Sequence, residues 1–182
     1  MKNNMIFDYI STILGILKIY FYKVCYFKRI YLKSLKINSN FRLALKKGTR
    51  LVIGNSFKAR NNINIRLDNY GKLIIGDNVF LNDGVSINCQ GNMTIGNNVL
   101  IGQNVLIIDH DHDYKKNIKD FTVDDIKIGN NVWIGANVTI LKGVTIGDNV
   151  VIAANTLINC NIDCDTVVYD KRNKIIKQKI ID

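Results

Sequence analysis

From Leu51 onward, the apolar positions recur every six residues. An aliphatic residue leads each unit, glycine often comes next, then two mostly polar residues, then valine. The unit reads IGDNVF at 75–80, IGNNVL at 95–100, IGQNVL at 101–106, IGNNVW at 128–133, IGANVT at 134–139 and IGDNVV at 146–151. Leads fall in triplets: Ile53, Ala59, Ile65; Ile75, Leu81, Ile87; Ile95, Ile101, Ile107; Ile128, Ile134, Ile140; Ile146, Ile152, Ile158; and a last lead at Cys164. The step is always 6 within a triplet, but 10, 8, 21, 6 and 6 between triplets. Extra residues therefore enter only at every third junction. That pattern predicts a triangular prism of 18 residues per turn, extended at one corner only.

Each six-residue side is expected to be a short parallel strand with its lead residue inward. Stacked leads make an isoleucine ladder, and each turn buries its face only against its neighbours. The valines (Val79, Val85, Val99, Val105, Val132, Val138, Val144 and Val150) complete the wall near the corners. Glycine and asparagine supply the turns, asparagine tolerating the left-handed conformation better than most residues. The segment Met5–Leu35 has a different texture, apolar and aromatic with interleaved lysines, and predicts one or two helices. Its longest charge-free run, Tyr9–Leu17, is nine residues. A spanning helix needs about 20 apolar residues, and a cleavable signal carries its bases before the apolar run rather than after it. The organisation expected is a helical segment over 1–50, a solenoid over 51–170 with an insertion at 108–127, and a basic tail at 171–182.

Charge sharpens this division. The chain has 182 residues and a formal net charge of +10. Residues 1–50 hold eleven bases and one acid, Asp8, whereas 51–182 hold 14 bases and 14 aspartates. The entire excess belongs to the first segment, so it does not argue for nucleic-acid binding. An amphipathic basic segment suits either an anionic membrane surface or packing on its own domain or a sister subunit. At 47% hydrophobic and 22% charged, the chain can bury a core. There is no proline and no glutamate. Cys25, Cys89, Cys160 and Cys164 include no CxxC pair, and their number does not suggest a disulfide scaffold. Reduced thiols and a cytoplasmic location are expected.

The long insertion, IDHDHDYKKNIKDFTVDDIK, contains both histidines of the chain, His110 and His112. A solenoid needs no such loop for stability, and long loops in compact folds are often functional. The run Asp109-His110-Asp111-His112-Asp113 admits three readings: a solvated polar loop, a divalent-metal site, or a general base whose ring is fixed by a flanking carboxylate.

The repeat over 51–165 resembles the hexapeptide-repeat acyltransferase family, which implies an all-β, left-handed parallel β-helix. Handedness comes from the resemblance, since the usual crossover rule would predict the opposite hand. Within the family, IGNNVLIGQNVLI, then DHDHDY, then IGNNVWIGANVTILKGVTIGDN looks like the sugar O-acetyltransferases. That branch includes galactoside, maltose and capsule- or lipopolysaccharide-modifying enzymes.

The resemblance implies transfer of acetyl from acetyl-CoA to a sugar hydroxyl of a surface polysaccharide or its precursor, with a histidine base and no metal. Counted ungapped from Ile107, the family's base falls on His112, with His110 as its partner or replacement. Asn82 and Asp83 are implied at the acceptor. Trp133, Ala136, Gly143 and Ala154 are implied along the coenzyme A groove, with the Ala136 amide at the oxyanion. The family's Leu-Pro-Gly-Val reads Leu141-Lys142-Gly143-Val144, and its proline-bearing tail is absent. Lys171, Arg172 and Lys174 are then the groups expected at the nucleotide end. The resemblance also implies a homotrimer and a carbohydrate partner. An N-acetyltransferase acting on an amino sugar, a γ-type carbonic anhydrase and a non-catalytic solenoid are the competing classes.

Overall fold

The structure is a computed structural model that describes residues 2–25, 30–38, 40–171 and 174–179. It is a left-handed parallel β-helix with an N-terminal helix, α1, at Lys2–Cys25. The first face stacks Ile30–Leu32, Arg50–Ile53, Lys72–Ile75, Asn92–Ile95, Ile126–Ile128 and Thr145–Ile146. The second stacks Leu35–Ile37, Phe57–Ala59, Phe80–Leu81, Leu100–Ile101, Trp133–Ile134, Val151–Ile152 and Thr166–Lys171, with Lys174–Lys179 added antiparallel at its end. The third stacks Phe41–Leu45, Ile63–Leu67, Ser86–Cys89, Leu106–Ile108, Thr139–Ile140 and Leu157–Ile158.

The register aligns the leads. Ile53 pairs with Ile75, Ile101 with Ile134, and Ile107 with Ile140. These residues, and the valines four positions after each lead, are buried. Each such side chain contributes roughly 1.5–3 kcal/mol by leaving water.

The corner after the first face explains the IGxNV motif position by position. Gly76 lies so close to the next coil that a Cβ there would meet Asn97 Oδ1 at 2.5 Å and Gly96 O at 2.7 Å. The next residue caps the coil on its N-terminal side. Asp77 accepts the Asn55 N–H at 2.6 Å, Asn97 the Asp77 N–H at 2.8 Å, Asn130 the Asn97 N–H at 2.9 Å and Asp148 the Asn130 N–H at 2.6 Å. The Asn55 N–H holds the Asp77 carboxyl below its usual range. The asparagine that follows turns the chain: Asn78, Asn98, Asn131 and Asn149 all have φ of 55–57°. Their amides form a ladder, Asn78 to Asn98 at 3.1 Å, Asn98 to Asn131 at 3.0 Å, Asn131 to Asn149 at 3.0 Å and Asn149 to Asp165 at 2.8 Å.

Two findings at the ends of the prism differ from the sequence reading. A further coil precedes Leu51: Leu32, Ile37 and Leu43 align with Ile53, Ala59 and Ile65. Its first step is five residues rather than six and it lacks the IGxNV corner, so a six-residue period passes over it. At the other end, Ile162 rather than Cys164 takes the lead position, bridging to Ile146, and Cys164 is exposed. A four-residue step, Ile158 to Ile162, shifts the register there.

The helix lies on the added first coil. Gly15 is buried there, close enough that a Cβ would meet Ile37 O at 2.5 Å, and Tyr22 packs on the core. The opposite side of α1 exposes Ile10, Ile13, Leu14, Leu17, Tyr20, Phe21 and Val24. No described helix is long and apolar enough to cross a membrane. All four cysteines are free, and burial pushes the Cys89 thiol well above its usual range, with the nearby Asp109 carboxylate adding to the shift.

Two measurements check these constraints. Asn98→Ala is expected to destabilise the protein by about 1–3 kcal/mol in chemical denaturation, and Asn98→Gly by less, because glycine takes the left-handed turn without a Cβ penalty. A thiol reagent should modify exposed Cys25, Cys160 and Cys164 in the native protein and reach Cys89 only after unfolding.

Candidate active site

The insertion leaves the prism where the third face would turn into the first. Its entry is fixed by Asp109, which is 0% exposed. The Asp109 carboxylate accepts the Gln90 N–H at 2.9 and 3.0 Å and the Gly91 N–H at 2.9 Å, the same coil-capping role that Asp77 plays at another corner. Gly91 makes room for the insertion, since a Cβ there would lie 2.9 Å from Val123 and 3.1 Å from Asp125. At the exit, Asp125 accepts the Asn92 N–H at 2.9 Å. Asp124 accepts the Gly143 N–H at 3.2 Å through its carbonyl and pairs with Lys142 at 2.9 Å through its carboxylate. That hydrogen bond holds the Lys142 ammonium above its usual range. Lys142, where the resembling enzymes carry proline, thus ties the next coil to the foot of the insertion.

Between these anchors the chain forms a hairpin, not an irregular loop. His110–Asp113 pairs antiparallel with Asn117–Val123, setting His110 opposite Val123 and His112 opposite Phe121. Residues two apart on a strand share a face. Both imidazoles accordingly contact the Phe121 ring, His110 edge-on at 5.3 Å and His112 at 4.5 Å between centroids.

The two rings are held differently. His110 is part-buried, its side chain 13% exposed, with Nδ1 2.8 Å from the Asp109 carboxylate. His112 is exposed, with Nδ1 2.6 Å from the Ile118 carbonyl. Each partner is an acceptor only, so Nδ1 donates in both rings and Nε2 of the neutral ring keeps its lone pair. Only the Asp109 carboxylate is a full charge that stabilises an imidazolium. Both histidines and Phe121 line a cavity of about 370 Å³ over the third face.

The remaining sequence-predicted residues divide between corners. Gly143, with φ +77°, stands at the foot of the histidine hairpin. Asn82, Asp83, Ala136 and Ala154 stack at the corner between the second and third faces, separated from the histidines by the width of the third face. Asp83 accepts the Asn61 N–H at 2.8 Å and lies 3.8 Å from Arg60, and Asn82 Oδ1 accepts the Asp83 N–H at 2.9 Å. Trp133 projects from the second face, 57% exposed, in register with Leu100 and Val151. A single chain therefore does not bring the histidines together with Trp133 and Ala136. Lys171 and Lys174 pair through their backbones in the final hairpin, while their side chains and Arg172 lie outside the described residues. Among the described residues, no group of three His, Cys, Asp or Glu is arranged to hold a metal ion.

The sequence reading named a carboxylate flanking the histidine but missed Asp124 and Asp125, which together with Asp109 position the hairpin. Their signal was present: each is an aspartate at a corner, where this chain repeatedly uses Asp or Asn to cap the preceding coil.

Comparison with known proteins agrees with this architecture. The family described as Bacterial transferase hexapeptide (six repeats) matches residues 125–160. An Escherichia coli (strain K12) protein assigned as a lipopolysaccharide biosynthesis O-acetyl transferase is 32% identical over 130 residues, 64% of this chain and 66% of its own length. The galactoside O-acetyltransferase of the same organism is 39% identical over 131 residues, 72% of this chain and 55% of its own length. The chain thus spans 66% and 55% of the lengths of these two curated relatives.

A hexapeptide-repeat containing acetyltransferase from Vibrio cholerae is 29% identical and superposes with a TM-score of 0.62, covering 74% of this chain and 75% of that one. Its structure complexed with acetyl coenzyme A gives 28% identity and a TM-score of 0.54, over 79% and 73% of the two chains. A maltose O-acetyltransferase from Clostridium difficile 630 is 31% identical and superposes with a TM-score of 0.59, covering 74% of this chain and 71% of that one. With the repeat and the prism, these likenesses show that the chain belongs to the hexapeptide-repeat acyltransferases, in the branch that contains the sugar O-acetyltransferases.

Proposed function

We propose that the protein is an acetyl-CoA-dependent O-acetyltransferase that modifies a sugar hydroxyl of a surface polysaccharide or its precursor, with His110 as general base. The observation that carries this reading is the buried Asp109 carboxylate 2.8 Å from His110 Nδ1, beside a cavity that both histidines line. Asp109 fixes the tautomer and stabilises the imidazolium, the arrangement a general base needs. His112, favoured by the ungapped count, has only a carbonyl behind it and is exposed. Its role in this reading is to hold the acceptor.

In the reaction, His110 Nε2 takes the proton of the sugar hydroxyl as that oxygen attacks the thioester carbonyl. The carbonyl π electrons move to oxygen, and a backbone N–H, by resemblance that of Ala136, meets the oxyanion. Collapse expels the coenzyme A thiolate, which takes the proton from the imidazolium. The acetyl group is then on the sugar, and the base is restored.

Ala136, Ala154 and Trp133 sit at a different corner and face from the histidines, so the donor groove needs a neighbouring chain beside the hairpin. A homotrimer supplies that neighbour, and the apolar row of exposed Leu100 and Trp133 and half-buried Val151 suits such a contact. Asn82 and Asp83 then face the acceptor across the groove, and Lys171, Arg172 and Lys174 serve the nucleotide end. We further propose that the exposed apolar side of α1, within the segment that carries the entire charge excess, rests on the cytoplasmic membrane surface, where lipid-linked acceptors are presented.

His110→Ala is expected to lower kcat for acetyl transfer by roughly 10²–10⁴-fold, with a smaller loss for His112→Ala. Surface glycan from cells lacking the protein should lose the mass of one acetyl group per modified residue. Full activity in His110→Ala, or no acetyl difference together with no binding of coenzyme A, would overturn the reading. Vesicles of anionic lipid should bind the protein in a salt-sensitive way, and Leu17→Asp with Phe21→Asp should abolish that binding. Equal binding by the double variant would return α1 to a purely packing role.

A further inference from the structure

The cavity beneath the histidine hairpin carries a feature that proton transfer does not use. Besides His110 and His112, it is lined by Lys46, Arg66 and Asp68. The Asp68 side chain is only 10% exposed, and two cations converge on it: Arg66 Nε at 2.7 Å and Lys46 Nζ at 3.3 Å. One carboxylate between two cations leaves a surplus positive charge. Among the described residues that line the cavity, Asp68 is the sole carboxylate.

The geometry at Arg66 matters more than the sum of charge. Its Nε is taken by Asp68, which fixes the plane of the guanidinium, and its two terminal nitrogens meet no partner among the described residues. A guanidinium held this way presents the fork that a carboxylate or phosphate accepts bidentately. The strand register places Arg66 on the outer side of the third face, between Ala44 and Asn88. Ala44 is too small to fill the space beside it. Asn69, Asn88 and Gln90 also line the cavity and offer amides suited to hydroxyl groups. The volume of about 370 Å³ lies at the small end of ligand sites, enough for a sugar unit or two.

We infer that this cavity binds an anionic acceptor, with Arg66, oriented by Asp68 and assisted by Lys46, gripping a carboxylate or phosphate of the glycan whose hydroxyl is acetylated. This inference rests on the acetyltransferase reading and narrows its substrate to an acidic sugar. The shared chemistry is an oxyanion on the acceptor, either the carboxylate of an acidic sugar or the phosphate of a sugar phosphate. Arg66 is a binding residue here, and it takes no part in proton transfer.

The test separates the inference from the reading beneath it. Binding of coenzyme A, followed by calorimetry, reports the reading. Binding of glucuronate, glucose 1-phosphate and glucose to the coenzyme A-bound protein, followed in the same way, reports the inference, and the first two compounds distinguish carboxylate from phosphate. At least one anion should bind roughly tenfold or more tightly than glucose, and Arg66→Gln should cut that preference roughly ten- to a hundredfold. Arg66→Lys should restore only part of it, because an ammonium lacks the fork. Arg66 is more than half exposed, so both variants should fold, and their coenzyme A affinity serves as the check. Equal binding of all three compounds, or a preference untouched in Arg66→Gln, would overturn the inference while coenzyme A binding kept the reading intact. Loss of coenzyme A binding in the native protein would overturn both.

Discussion

Each coil of the prism touches only the coils on either side of it, and everything else in the molecule is subordinate to that stacking. Backbone hydrogen bonds run from coil to coil, so Gly76 N donates to Ile95 O and Gly96 N to Ile128 O, both at 2.8 Å. At that separation the corner after the first face has no space for a Cβ, and most corners are turned by a residue with positive φ. Isoleucine inside, glycine at the closest approach, Asp or Asn as a cap and Asn at the turn are four answers to one geometric demand. The chain lacks proline and uses asparagine heavily because its turns are made by side-chain ladders rather than by a fixed φ.

The same economy builds the site. A corner aspartate ordinarily caps a backbone N–H and nothing more. At Asp109 this capping residue also meets an imidazole, so a structural carboxylate comes to orient the His110 ring. Because its other contacts are backbone N–H groups of the preceding coil, Asp109 is immobile, and so is the ring it orients. At its exit the insertion is pinned by Asp125, which caps Asn92 in the same manner, and by Asp124, which meets Lys142 and the Gly143 N–H of the following coil. A hairpin anchored at both feet holds its histidines on a rigid face, which a solvated loop would not do. The remaining residues divide between separate corners because a solenoid with a short perimeter cannot fold back to bring Trp133 and Ala136 to the histidines.

The helical segment shows the converse. Residues 51–182 are neutral in sum, and Lys142 pairs locally with Asp124. Residues 1–50 carry the whole excess, and α1 buries Gly15 and part of Tyr22 while leaving a row of large apolar side chains outside. Charge and apolar area are both left over there, in the part of the molecule that the repeat does not govern.

The amino-acid sequence by itself determined the prism, its period and the corner at which it is interrupted. Those depend on which residues are inward, close-packed or at positive φ, and such requirements recur with fixed spacing. It also located the histidines, because a long insertion stands out against a strict repeat. Only the tertiary structure showed the coil at Ile30–Leu45, where the lead spacing shortens and alternation of buried Phe41, Leu43 and Leu45 with exposed residues replaces the repeat motif. It replaced Cys164 with Ile162 for the same reason, a change of step that no fixed period can follow. It distinguished His110 from His112, which are alike in sequence, because their difference lies in what stands behind each ring: a carboxylate held by a coil 18 or 19 residues earlier, or the carbonyl of Ile118 across the hairpin. And it gathered Lys46, Arg66 and Asp68 from two successive coils around the cavity those rings line, a neighbourhood created by stacking and invisible along the chain.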